Sequence, residues 1–175
     1  MKSTKLIALT GVLSALSVVL MFLGSVISVF TYVMPLITGL LMIILNDFSK
    51  HHSIVMFITV SIISVFALPD KECALTYVFF FGYYPVIRDR LNQIKSKTAS
   101  YFVKLLIFNI GIIFSQLLCF YVFHIPFDDI FGKYGTAVLL LLANLVFVAY
   151  ERLFSLLLIL YNKRLRKIII KILKN

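Results

Sequence analysis

The feature that most constrains this chain is a pair of long apolar runs that no charge interrupts. The first is Leu6 to Leu23, closed by Gly24, and the second runs from about Val26 to Leu45 and contains Pro35. A helix at a water interface carries a polar face, whereas a run apolar on all sides has no surface to offer water. Such a run of about 20 residues matches a hydrocarbon core of about 30 Å. Four more apolar segments follow: Ser53 to Leu68, Cys73 to Ile87, about Tyr101 to Phe123, and about Thr136 to Tyr161. The third and fourth are short for a crossing, and Pro35 is expected to kink or interrupt the second. Strict alternation of apolar and polar residues is missing, which disfavours a membrane β-barrel. The expected fold is all-α, a polytopic membrane protein built as a bundle of six transmembrane helices.

Composition agrees with this reading. Hydrophobic residues make up 62% of the 175 positions and charged residues 14%, against about one half and one quarter in soluble domains. Residues 1–175 are expected to form a single transmembrane domain, with 162–175 a basic tail. The opening Met1-Lys2-Ser3-Thr4-Lys5 before an apolar stretch superficially resembles a signal peptide. That stretch exceeds a signal core and lacks a small-x-small cleavage site before a soluble region, so it reads as a retained first span.

The loop charges give an orientation. Lys2 and Lys5, then Lys50, then Arg88, Arg90, Lys95 and Lys97, and finally Lys163, Arg164, Arg166, Lys167, Lys171 and Lys174 all fall on one side of a six-span topology. They account for thirteen of the 17 Lys and Arg. The other side holds Lys71 and Lys133 beside Asp70, Glu72, Asp128 and Asp129. The positive-inside rule then places both termini in the cytoplasm, as in a multi-pass protein of a bacterial inner membrane. The net charge of +10 sits in short clusters between apolar spans, which suits anionic lipid headgroups. Nucleic acid is not expected, because no stacking aromatics interleave with the basic residues. In the tail, Leu165, Ile168, Ile169 and Ile172 recur at helical spacing among basic residues. Two readings stand: an amphipathic helix in the interface, or an ordinary basic stop-transfer tail.

Chemistry-bearing patterns are sparse. H-E-x-x-H, G-x-S-x-G and Gly-rich phosphate loops are all missing, so an enzyme is not expected, nor a cofactor. Cys73 and Cys119 form no C-x-x-C, so metal binding has little support; both fall toward the outer face, which leaves a disulfide open beside the favoured reading of two buried apolar residues. His51 and His52 read as loop residues, and His124 as lying near a helix end. Ser100 and Lys104 share a helical face, which a helix-starting Ser and a snorkelling Lys explain better than a catalytic dyad.

Polar residues within spans carry more information, since each must be paired or line a cavity. Gln116 and Asn144 fall in the outer halves of their spans, and Tyr77 lies about one turn into the fourth helix from outside. With Asp70, Lys71 and Glu72 just above, they either line an outward-facing pocket for a small polar molecule or make structural hydrogen bonds. Glu151 lies about 15 Å from the cytoplasmic end of the sixth helix, at 1.5 Å per residue, with Asn109 expected at similar depth. A structural role is favoured for it over substrate or proton binding. On the first helix, Ala8, Gly11 and Ala15 form a stripe of small residues at spacings of three and four, with Thr4 one turn earlier. Small residues let helix backbones approach closely in lipid, either within the chain or with a partner.

The basic N-terminus, the run from Leu9 to Leu20 (LTGVLSALSVVL) and the six-span plan resemble the substrate-binding S components of energy-coupling factor (ECF) transporters. That resemblance implies six helices, capture of a vitamin-like micronutrient from outside, and docking on a transmembrane coupling subunit driven by two ATPase subunits. It further implies docking through an Ala-x-x-x-Ala pattern in the first helix, whose place is taken here by Gly11-x-x-x-Ala15 with Ala8 extending the stripe. Solute binding would fall to Tyr77, Gln116, Asn144, Asp70 and Glu72. No residue pattern names the substrate, and the segment Phe81 to Pro85 is assigned only a bend and helix end. The alternative is a small envelope scaffold or morphogenesis protein that binds partner helices and carries no solute; a membrane enzyme acting on lipid ranks third.

Overall fold

A computed structural model describes residues 3–125 and 135–174 of the chain, with side chains over 4–125 and 138–171. Asp128, Asp129 and Lys133 of the expected outer loop lie outside the described residues. The helices are α1 (Ser3–Val26), α2 (Val33–Phe48), α3 (Lys50–Ala67), α4 (Lys71–Thr76), α5 (Tyr84–Leu91), α6 (Lys97–Tyr121), α7 (Gly135–Leu160) and α8 (Arg166–Lys174). A π-helical turn, Tyr77–Phe81, joins α4 towards α5, and another, Tyr161–Leu165, joins α7 to α8. The result is a bundle of six helical segments, with no strand among the described residues. Four of the helices, α1, α3, α6 and α7 with its extension, are long and apolar enough to cross a membrane; α2 is a shorter apolar helix of 16 residues.

Boundaries follow from local chemistry. Gly24 does not end α1; a Cβ there would fall 2.7 Å from the Met34 side chain, so its absence lets the start of α2 fold back onto α1. The break falls at residues 27–32 instead, which contain a short 3-10 turn. Pro35 neither kinks nor interrupts the second span, because it lies in the first turn of α2, where its missing N–H has no helical acceptor. A single extended residue, Ser49, separates α2 from α3. His51 and His52 therefore belong to the first turn of α3 rather than to a loop, and His52 Nδ1 shares a 3.0 Å hydrogen bond with Ser49 Oγ. Asp70 caps α4 by accepting from the backbone N–H groups of Glu72 and Cys73 at 2.9 and 3.3 Å. Ser96, not Ser100, caps α6.

The fourth segment departs most from expectation. The run bends at Gly82 and Tyr83, as expected there, but Pro85 does not end it: α5 starts around it and continues to Leu91, so Arg88 is helical and buried rather than part of a loop. The π turn shifts its backbone carbonyls sideways, and the neighbours accommodate them with glycine. A Cβ on Gly39 of α2 would lie 2.5 Å from the Phe81 carbonyl oxygen, and one on Gly111 of α6 would collide with that of Phe79. Around this contact the core is aromatic. Phe80 meets Tyr84 and Phe108 at centroid distances of 4.7 and 4.8 Å, and Phe108 stacks on Phe147 at 5.0 Å.

The outside is as apolar as the inside. Phe66 is 82% exposed and Val12 65%, and Phe102, Ile110, Leu141 and Leu145 are also open on the circumference. No water-soluble surface of this size carries so continuous an apolar cover. The bundle is that of a helical membrane protein. Cys73 and Cys119 are both buried, and they are not bridged to each other.

Gly111→Ala or Gly39→Ala should lower the thermal unfolding midpoint in detergent, with a loss of about 1–3 kcal/mol as an overpacked contact. Gly11→Ala, where a Cβ meets nothing within 4 Å, should be neutral or slightly stabilising. Equal melting of all three variants would refute the glycine–carbonyl contacts.

Candidate functional site

Four polar or open regions stand out among the described residues. The deepest is centred on Glu151 of α7. Its Oε2 accepts from the Tyr84 hydroxyl at 2.7 Å and from Arg88 Nε at 3.0 Å. Its Oε1 accepts from Lys104 Nζ at 2.6 Å and from Arg88 Nη2 at 2.9 Å. Arg88 also donates to Ser155 Oγ at 2.7 Å and lies 4.5 Å from the centroid of the Phe154 ring. Lys104 donates to Asn92 Oδ1 at 2.5 Å. Arg88 and Lys104 are each 5% exposed and Glu151 9%. Lys104 therefore does not snorkel outward; its ammonium turns into the bundle. Ser100 donates to the Leu91 carbonyl at 2.7 Å rather than engaging Lys104.

This cluster holds two cations and one carboxylate. Attraction is strong in so apolar a setting, but so is the penalty for desolvation, and the balance is favourable only when each group is fully bonded. Both carboxylate oxygens are saturated with donors. The arrangement ties α5, α6 and α7 together through one carboxylate. Arg88 and Tyr84 were missed from sequence, although Tyr84/Arg88 and Glu151/Ser155 each stand at i, i+4 on one helical face.

Beyond this cluster, at the end of the bundle where α8 begins, lies a cavity of about 200 Å³ lined by Asn46, Asp47, Asp89, Phe154, Tyr161 and Asn162. Asn46 Nδ2 donates to Asp89 at 3.1 Å, and Asp47 Oδ2 accepts from Arg166 at 2.8 Å and from the Tyr161 hydroxyl at 3.2 Å. These bonds link the end of α2 to α5, to the π turn that follows α7, and to α8.

The expected solute-binding residues are brought together only in part. Asp70 Oδ2 accepts from Thr31 Oγ1 at 2.9 Å, Glu72 Oε2 accepts from the Tyr32 hydroxyl at 2.6 Å, and Gln116 also reaches Tyr32. Asp70, Glu72 and Gln116 thus share one polar cluster that joins the α1–α2 connection to the start of α4. Tyr77 is fully buried deeper in the same segment, with no hydrogen-bond partner for its hydroxyl among the described residues. Asn144 is elsewhere: it exchanges hydrogen bonds of 2.8 and 3.0 Å with Asn109 across α6 and α7. Asn109 is therefore Asn144's partner and is not bonded to Glu151.

The small-residue stripe of α1 is open. Ala8, Gly11 and Ala15 are all exposed, and the outward surface beside them is a groove of about 890 Å³ between α1 and α3. Gly11, Ser14 and Ala15 line it from α1, and His51, Val55 and Thr59 from α3. Ser14 is buried at its edge and has no hydrogen-bond partner among the described residues. Comparison with protein-family models, with curated proteins and with solved structures finds no match to this chain.

Glu151→Gln leaves two buried cations short of an anion and should destabilise the bundle by about 3–5 kcal/mol. Lys104→Met removes the surplus cation, keeps the Arg88–Glu151 pair and should cost clearly less. Unfolding in mixed micelles at neutral pH gives the order; a larger loss for Lys104→Met would contradict this account of the charge balance.

Proposed function

We propose that this chain is the substrate-capture subunit of an ECF-type transporter in a bacterial inner membrane, with both termini cytoplasmic. It takes a small, vitamin-like micronutrient at the face opposite its termini and docks through α1 on a transmembrane coupling subunit that carries two ATPases. The observation that carries this reading is the outward-facing stripe Ala8, Gly11 and Ala15 beside the open α1–α3 groove. A helix pressed against Gly11 gains close backbone approach, and Ser14 offers it a hydroxyl without a partner. The loop charges support the orientation. Asp70, Glu72 and Gln116 gather at the proposed capture face, with Tyr77 beneath them.

One observation favours a second reading, a scaffold that binds partner helices and carries no solute. Asp70, Glu72 and Asn144 are engaged with Thr31, Tyr32 and Asn109 rather than left open to a ligand. The groove would serve a scaffold equally well.

Gly11→Leu and Ala15→Leu fill the groove from its α1 side and should reduce co-purification of a coupling subunit and its ATPases by at least about tenfold, or about 1.4 kcal/mol. Undiminished recovery with both variants would overturn the docking face. Mass spectrometry of small molecules retained by the gently purified protein separates the two readings: a bound micronutrient favours the transporter, and its consistent absence together with absence of an ATPase partner favours the scaffold.

A further inference from the structure

The helix that enters at Gly135 runs through the π turn to Lys174. At 1.5 Å per residue its length is about 60 Å, twice a hydrocarbon core of about 30 Å. Its last part therefore leaves the apolar layer, yet its apolar residues continue. Leu165 is 49% exposed and Ile168 56%, while Ile169 on the adjoining flank packs against the core. Lys163, Arg164, Lys167 and Lys171 are exposed as well. Among the described residues none of these four pairs with a carboxylate. The acidic groups at this end are engaged: Asp47 with Arg166 and Tyr161, and Asp89 with Asn46.

We infer that α8 and the turn before it form a lipid-surface helix that lies in the headgroup layer, with Leu165 and Ile168 against acyl chains and the four free cations at anionic phosphates. An apolar stripe set against basic residues is the pattern of a helix held at an interface. The cations supply the charge complementarity, because juxtamembrane Lys and Arg are drawn to anionic lipid. Asp47 of α2 accepts from Tyr161 in the turn and from Arg166 at the start of α8, so the helix leaves the bundle from a set position. This inference is independent of whether the protein carries a solute.

The test uses the full-length protein in vesicles of phosphatidylcholine, with and without phosphatidylglycerol. An environment-sensitive fluorophore is placed at Ile168→Cys or, separately, at Lys167→Cys; the native cysteines are buried. With phosphatidylglycerol present, the label at 168 should be quenched by brominated lipid and be at least about twofold less sensitive to iodide than the label at 167. Replacing Lys163, Arg164 and Lys171 with Gln should remove the phosphatidylglycerol dependence while leaving the protein folded, as read by its unchanged melting. Equal access of iodide to both positions overturns the inference, and so does immersion of residue 168 that is indifferent to phosphatidylglycerol.

Discussion

The bundle turns on one carboxylate. Glu151 stands in the interior of a helix whose other neighbours are mostly apolar, where an unpaired charge would not remain ionised. It is held by a guanidinium from α5, an ammonium from α6 and a phenol from α5, so three helices are positioned by one side chain. Because hydrogen bonds have direction and apolar contacts do not, this cluster sets the rotation and the height of α5, α6 and α7 relative to each other. The cluster is buried among aromatic rings, and so low a dielectric setting strengthens each of those bonds.

The break in the fourth segment makes this geometry available. A continuous α-helix from Lys71 would present a different face at positions 84 and 88. The π turn and the residues after it rotate the chain, so that Tyr84 and Arg88 meet α7. The displaced carbonyls of Phe79 and Phe81 need close neighbours without Cβ atoms, and α2 and α6 supply Gly39 and Gly111 at those points. An irregular helix in a membrane is tolerated where it is enclosed by protein, and here it is enclosed on both sides. Glycine in α2 and α6 and the ion cluster on α7 are thus parts of one solution.

The fold class was legible because a bilayer-length apolar run is a strong and local signal. Helix ends were less so. Pro35, Gly24 and Gly82 are all helix breakers by propensity, yet packing against neighbours decides what each does. The fate of Arg88 depended on a segment boundary of a few residues, and moving that boundary turned a presumed loop cation into the partner of Glu151. Lys104 was misplaced for a related reason: a lysine near a helix end snorkels unless a carboxylate waits in the interior, and that carboxylate is 47 positions away in sequence. The outward face of the α1 stripe was among the two readings sequence left open, since spacing identifies a face but not what it faces. Of the expected solute-binding set, Asp70, Glu72 and Gln116 converge, while Asn144 found a partner in Asn109 at its own depth.

Polar ties are unevenly shared among the helices. Glu151 joins α5, α6 and α7, and Asn46 and Asp47 bind α2 to α5, to the π turn after α7 and to α8. By contrast, α1 meets its neighbours through apolar and small side chains, with the long, weak contact from the Cys73 thiol to the Met21 carbonyl at 3.7 Å as its polar link to α4. The two halves consequently differ in how a sequence of this kind can drift. At the braced positions a lone loss of Glu151 or Arg88 strands a buried charge, so those two can change safely only in concert, whereas Lys104, the surplus cation, is freer. Along α1 an Ile can become a Val, or a Leu a Met, one position at a time, and its outward surface can be refitted to a new neighbour without disturbing the frame behind it.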